Sequence, residues 1–90
     1  MKIFWSKQAI SDLAAVRDYL EAHYPIGAKI VVARIEGAIE RLGVYPAMGR
    51  TGRREGTREL VVTQTPFVVV YRPHEGYIEI LSLLHGAQAW

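Results

Sequence analysis

Three side chains could bind an anion or move a proton. Arg58 and Arg72 are forked cations suited to phosphate oxygens, and His85 is a general acid or base near neutral pH. Arg58 alternates with Leu60 and Val62, so a strand there puts all three on one face. Arg72 shares a face with Val70, and on this reading it projects from the same sheet surface as Arg58. His85 follows Leu81 and Leu83 at the same spacing, and Tyr71 and Tyr77 are further proton-carrying groups. Each residue also has a plain structural use. Arg72 can pair with Glu59, Glu75 or Glu79, Arg58 can sit at a sheet margin or pair with an acid, and a histidine ending a strand can simply pack.

Upstream of Arg72 lies the densest charge in the chain. Residues 50–58 carry Arg50, Arg53, Arg54 and Arg58 against Glu55 alone, a balance of +3, while the remainder sums to −1. Arginine without lysine points to carboxylate, phosphate or aromatic surfaces, against the alternative of a merely solvated face. Gly52 to Thr57 supplies neither the lysine nor the following helix of a phosphate-binding P-loop, and no dinucleotide fingerprint is present. Gly49, Gly52 and Gly56 read as residues that permit positive φ in a tight connection.

The chain has no cysteine, and His23, His74 and His85 show no ligand spacing, so neither a metal nor a cofactor is expected. No signal peptide is legible at the start and no apolar run is long enough to cross a bilayer, so a soluble, cytoplasmic protein is expected. The net charge of +2 is too small for unaided tight binding to nucleic acid. The aromatic residues are scattered, with no paired base-stacking platform. Ninety residues, half of them hydrophobic, make one domain over 1–90 that gains from a partner covering apolar surface.

The elements that position these residues follow from periodicity. Ser6 is an N-cap, and Ile10, Leu13, Val16 and Leu20 form a helical stripe, predicting a helix over about 6–23 that ends at Tyr24-Pro25. Ala28, Val31, Val32, Ile35, Ala38, Ile39 and Leu42 form a second stripe closed by Gly43, and the two helices make a hairpin. Beyond Tyr45-Pro46, residues 59–63, 67–72 and 77–84 read as three antiparallel strands. The middle one is apolar at successive positions, as expected of a strand covered on both faces. Lys2-Ile3-Phe4-Trp5 supplies a strand before the helices. The fold class is α+β in the order β-α-α-β-β-β, an antiparallel sheet with the N-terminal helical hairpin packed on one face.

Three segments taken in order resemble the RelE/ParE superfamily of type II toxin–antitoxin toxins, and its ParE branch in particular. They are Ser6 to Leu13 with Asp18-Tyr19-Leu20; Tyr45 to Arg50 with Gly56 to Val61; and Val70-Tyr71-Arg72 with Ile80 to Gln88. The resemblance implies a small toxin neutralised by a cognate ParD-like antitoxin wrapped around it. RelE-like members cut mRNA on the ribosome with basic strand residues, whereas ParE-like members poison DNA gyrase. The arginine that the nuclease branch carries on its central strand falls here on Val68. Its lysines fall near Glu59, Val61 and Val62, and its last basic residue near Gly86. Without cations at these places a phosphodiester transition state loses several kcal/mol of stabilisation.

Gyrase inhibition is therefore the expected action. A ribosome-dependent mRNA nuclease using Arg58, Arg72 and His85, and a non-toxic relative that binds only its antitoxin, are the alternatives. Partner contact is expected at Arg50, Arg53, Arg54, Arg58, Arg72, His85 and Trp90.

Overall fold

A computed structural model of the chain describes residues 1–86. Its elements run β1 (Lys2–Trp5), α1 (Lys7–His23), α2 (Pro25–Leu42), β2 (Arg50–Thr51), β3 (Arg58–Val61), β4 (Phe67–His74) and β5 (Tyr77–His85). Ser6 starts α1 as its composition predicts. Its backbone is extended and its hydroxyl accepts the Ala9 N–H at 3.0 Å, satisfying one of the first-turn donors. A single residue, Tyr24, separates the helices, and α2 begins at Pro25, three residues before its apolar stripe. Proline suits a first helical turn because its φ is preset and the N–H it lacks would have no partner there.

The five strands lie in the order β1-β5-β4-β3-β2. β2 to β5 pair antiparallel, and β1 joins the far edge parallel to β5, with Ile3 opposite Ile78 and Trp5 opposite Ile80. The predicted α+β architecture holds, but the sheet is mixed rather than wholly antiparallel because β1 runs parallel to β5, and it gains a two-residue strand, β2, that no periodicity announces. The helical hairpin covers one face. Between the layers pack Ala9, Ile35, Ile39 and Leu42 from the helices against Val69, Tyr71, Ile78 and Ile80 from the sheet. Val68, Val70 and Leu84 form a separate buried cluster with Leu81, which accounts for the unbroken apolar run of β4.

The join between α1 and β5 is polar and specific. β5 bulges near Leu81, where the register jumps from Tyr71 opposite Ile80 to Val70 opposite Ser82. The Asp12 carboxylate on α1 accepts the Ser82 hydroxyl at 2.7 Å and the Leu83 N–H at 3.0 Å. Ser6 completes the tie by donating its own hydroxyl to the Leu81 carbonyl at 2.9 Å. The irregularity in the strand thus has its backbone groups satisfied from the helix above it.

Candidate partner-binding surfaces

The arginine-rich connection is organised by a residue whose role composition did not reveal. Glu59, on β3 opposite Arg50 of β2, is only 2 % exposed. One carboxylate oxygen lies 3.4 Å from the Arg50 guanidinium, and the other lies 3.4 Å from that of Arg53 and accepts the Arg53 backbone N–H at 3.1 Å. A buried carboxylate requires such compensation. Between Arg53 and Arg58 the chain makes a tight turn, with Thr57 bonded back to the Arg54 carbonyl and Gly56 at φ +77°. A side chain at Gly56 would meet the Arg72 Nε at 3.5 Å, so Arg72 lies beneath this turn. Arg50, Arg53, Arg54 and Arg72 thus share one corner of the sheet.

Only Gly56 of the three glycines in the connection has positive φ. At Gly49 the constraint is proximity, because an added Cβ would lie 2.8 Å from the Tyr71 ring and 2.9 Å from the Glu59 carbonyl. The Tyr71 hydroxyl donates to the Pro46 carbonyl at 2.8 Å and accepts the Gly49 N–H at 2.9 Å. Tyr71 is fully buried, and burial pushes its phenol above the usual 10. The Gly49 hydrogen bond and the nearby Arg58 charge pull partly the other way. Arg58 donates to the Gly49 carbonyl at 2.6 Å, so its guanidinium closes the same loop.

This arrangement corrects the expectation that Arg58 and Arg72 share a sheet surface. The hairpin over residues 62–67, closed by Val62 N–H on the Phe67 carbonyl at 3.0 Å, sets Arg58 opposite Tyr71, whose ring faces the helices. Arg72, next along the strand, points to the opposite face, because adjacent strand residues alternate. Two of its three expected acidic partners are engaged elsewhere, Glu59 with Arg50 and Arg53, and Glu79 with His74 at 2.9 Å.

His85 lies apart from both arginines. It is opposite Phe67, four residues along β4 from Tyr71, and at the strand rise that is a separation of roughly 13 Å. There, with Asp12, Val16, Tyr19, Phe67 and Leu83, it lines a groove of about 350 Å³ between α1 and the sheet. The Phe67 and His85 rings meet edge to face at 5.9 Å. Among the described residues no group of three histidine, cysteine or acidic side chains could hold a metal, and no helix is long and apolar enough to cross a membrane. Trp90 lies outside the described residues.

Residues 3–90 match the family described as the ParE toxin of the type II toxin–antitoxin system parDE. The chain belongs to the ParE toxin family. A Sinorhizobium fredii protein named as a candidate toxin, Y4kP, is 40 % identical over 99 % of this chain and 92 % of its own. Toxin RelE2 of Caulobacter vibrioides is 33 % identical over 97 % of each. A solved structure of the chromosomal ParDE toxin–antitoxin system of P. aeruginosa superposes with a TM-score of 0.84, at 26 % identity, over 94 % of this chain and 95 % of that one. The helical hairpin and the five-stranded sheet described above are therefore this chain's version of the family fold.

Proposed function

We propose that this ParE-family toxin acts by inhibiting bacterial DNA gyrase and is held inactive by a cognate ParD-like antitoxin. One observation carries the reading. The places where the nuclease branch carries cations hold the buried Val68 and Val62, the exposed Val61 and the buried Glu59, whose charge is already met by Arg50 and Arg53. The substitute trio does not converge either. Arg58 faces the helices and is bonded to Gly49, Arg72 faces away, and His85 lies at the other end of β4. Acid–base chemistry on one phosphodiester requires its groups within hydrogen-bond reach of the same atoms, and this arrangement argues against it.

The name RelE2 borne by the Caulobacter relative is what favours the second reading, ribosome-dependent cleavage of mRNA. The two are separated by adding purified toxin to a gyrase supercoiling reaction and, in parallel, to a translating extract whose mRNA is mapped for cuts. Inhibition of supercoiling with intact mRNA is expected. Unimpaired supercoiling with codon-linked cuts would reverse the assignment. If neither responds and expression leaves growth unchanged, the chain is an antitoxin-binding relative without toxicity.

For the antitoxin we assign two contacts. The corner of Arg50, Arg53, Arg54 and Arg72 takes acidic residues, and the groove beside His85 takes apolar ones. Arg58, half-buried on the Gly49 carbonyl, contributes indirectly by fixing the loop that leads into β2.

A further inference from the structure

A cleft of about 160 Å³ lies between α2 and the hairpin that joins β3 to β4. Arg34, Gly37 and Arg41 of α2 line one side, and Val62, Thr63 and Gln64 of the hairpin line the other. Seven residues make two helical turns, so Arg34 and Arg41 project from the same flank of α2, roughly 10 Å apart along its axis, with Gly37 between them. Both arginines are exposed, and among the described residues neither has an ion pair or a side-chain hydrogen bond. The Arg41 guanidinium lies over Gly37, where an added Cβ would have only its Nη1 in contact range, at 3.9 Å. The hairpin wall is fixed, because the Thr65 N–H and hydroxyl both donate to the Val62 carbonyl, at 3.1 and 2.9 Å.

Glycine at position 37 has no packing reason. Gly27, earlier in the helix, is required, because a side chain there would run into the Tyr24 ring, whereas the space beside Gly37 is open. Glycine weakens a helix interior relative to alanine, and here it leaves a bare floor between two guanidiniums. The distribution of acids agrees. A cavity between α1 and α2 brings Arg17 and Lys29 together with Glu21 and Glu36, so its cations are matched, while no described acidic residue lines the cleft of Arg34 and Arg41. Two arginine forks beside a threonine hydroxyl and a glutamine amide are the donor set that holds nucleic-acid phosphate. We propose that this cleft is a phosphate site through which the toxin contacts the backbone of the nucleic acid at its target. With gyrase as that target the nucleic acid is duplex DNA. That choice rests on the gyrase reading, whereas the phosphate site itself does not. A site of two cations supplements binding to the target protein and does not hold nucleic acid tightly alone, in keeping with the small net charge.

The test is fluorescence anisotropy of a labelled short DNA duplex and of a labelled single-stranded RNA, titrated with the full chain at several low salt concentrations. Arg34→Gln with Arg41→Gln should weaken DNA binding about fivefold or more and lower the slope of log affinity against log salt by about one to two. Gly37→Glu sets a carboxylate one turn before Arg41, an arrangement that favours the helix, and should weaken binding to a similar degree by occupying the guanidiniums from within. Arg17→Gln with Lys29→Gln removes the same charge from the matched cavity and should change affinity by less than about twofold. Equal losses in the two charge-removing variants overturn the proposal, because binding then follows overall charge, and so does absence of binding to either nucleic acid. Antitoxin affinity is measured on the same variants. If it falls while nucleic-acid binding persists, the cleft is an acidic-peptide contact and the proposal fails. RNA bound through the cleft in preference to DNA keeps the phosphate site and counts against gyrase. Circular dichroism checks folding, and if the double arginine variant loses its native spectrum, Gly37→Glu decides by the same outcomes.

Discussion

Tyr71 shows how much one side chain settles at the residue scale. Its hydroxyl bonds two backbone groups of a loop 22 and 25 residues away. Tyr71→Phe keeps the ring but leaves the Gly49 N–H and the Pro46 carbonyl without the phenol. A loss of about 1–3 kcal/mol is expected, read as a lower denaturant midpoint at unchanged slope. The pH dependence has a definite sign. Burial raises the folded phenol above 10, so between the unfolded and the folded value the native state holds the extra proton. This contribution is complete below about pH 10 and is lost as pH rises through the folded value. The unmodified chain should therefore lose stability above pH 10 more steeply than Tyr71→Phe, and parallel curves would refute the assignment. The sequence marks Tyr71 only as a proton-carrying group in a strand and a candidate companion of His85, and does not show this bracing role. Its partners are backbone atoms, which composition does not mark.

At the scale of elements, the informative junction is between α1 and the bulge of β5. Asp12 falls on the wet side of the α1 stripe by periodicity, yet its carboxylate satisfies both the Ser82 hydroxyl and the Leu83 amide. Asp12→Ala is expected to destabilise by about 1–3 kcal/mol, because it strands the nearly buried Ser82 hydroxyl and a strand N–H. Amide exchange at Leu83 should quicken beyond what the global loss explains, and an unchanged rate there would show that the bulge holds itself. The helices themselves were readable from their apolar stripes and the Ser6 cap, because those signals are local. The bulge and the two-residue β2 were not, because the bulge is held by Asp12, some seventy residues away, and β2 is too short to carry a periodicity of its own. The same holds for the relation between Arg58 and Arg72. Alternation correctly placed each relative to its own neighbours, but only the β3–β4 register put them on opposite faces.

For the whole molecule, the basic corner and the apolar groove beside His85 occupy different regions, and the proposed antitoxin contacts follow that division. The arginine corner carries most of the basic excess, and charge reversal at Arg53 and Arg54 should slow antitoxin association and flatten its salt dependence. Rim charges of this kind change binding by about 1 kcal/mol or less each. Stopped-flow association at two salt concentrations measures the effect, and rates indifferent to both charge and salt would remove this corner from the interface. Glu59→Gln supplies the complementary case. Arg50 and Arg53 then lose the carboxylate between them, and the turn they hold should loosen without any change in the surface apolar residues.

Taken alone, the sequence determined the α+β class, the helical hairpin, the strand run and membership of a toxin superfamily, since hydrophobic period, capping residues and ordered motifs are all encoded within short windows. The tertiary structure decided which of the chemically capable residues meet. It divided Arg58, Arg72 and His85 among separate places, made Glu59 the centre of the basic corner, and used Tyr71 to brace the loop that leads into β2. These outcomes depend on strand register and on contacts between residues far apart in the chain, where a shift of one position reverses the face a side chain occupies.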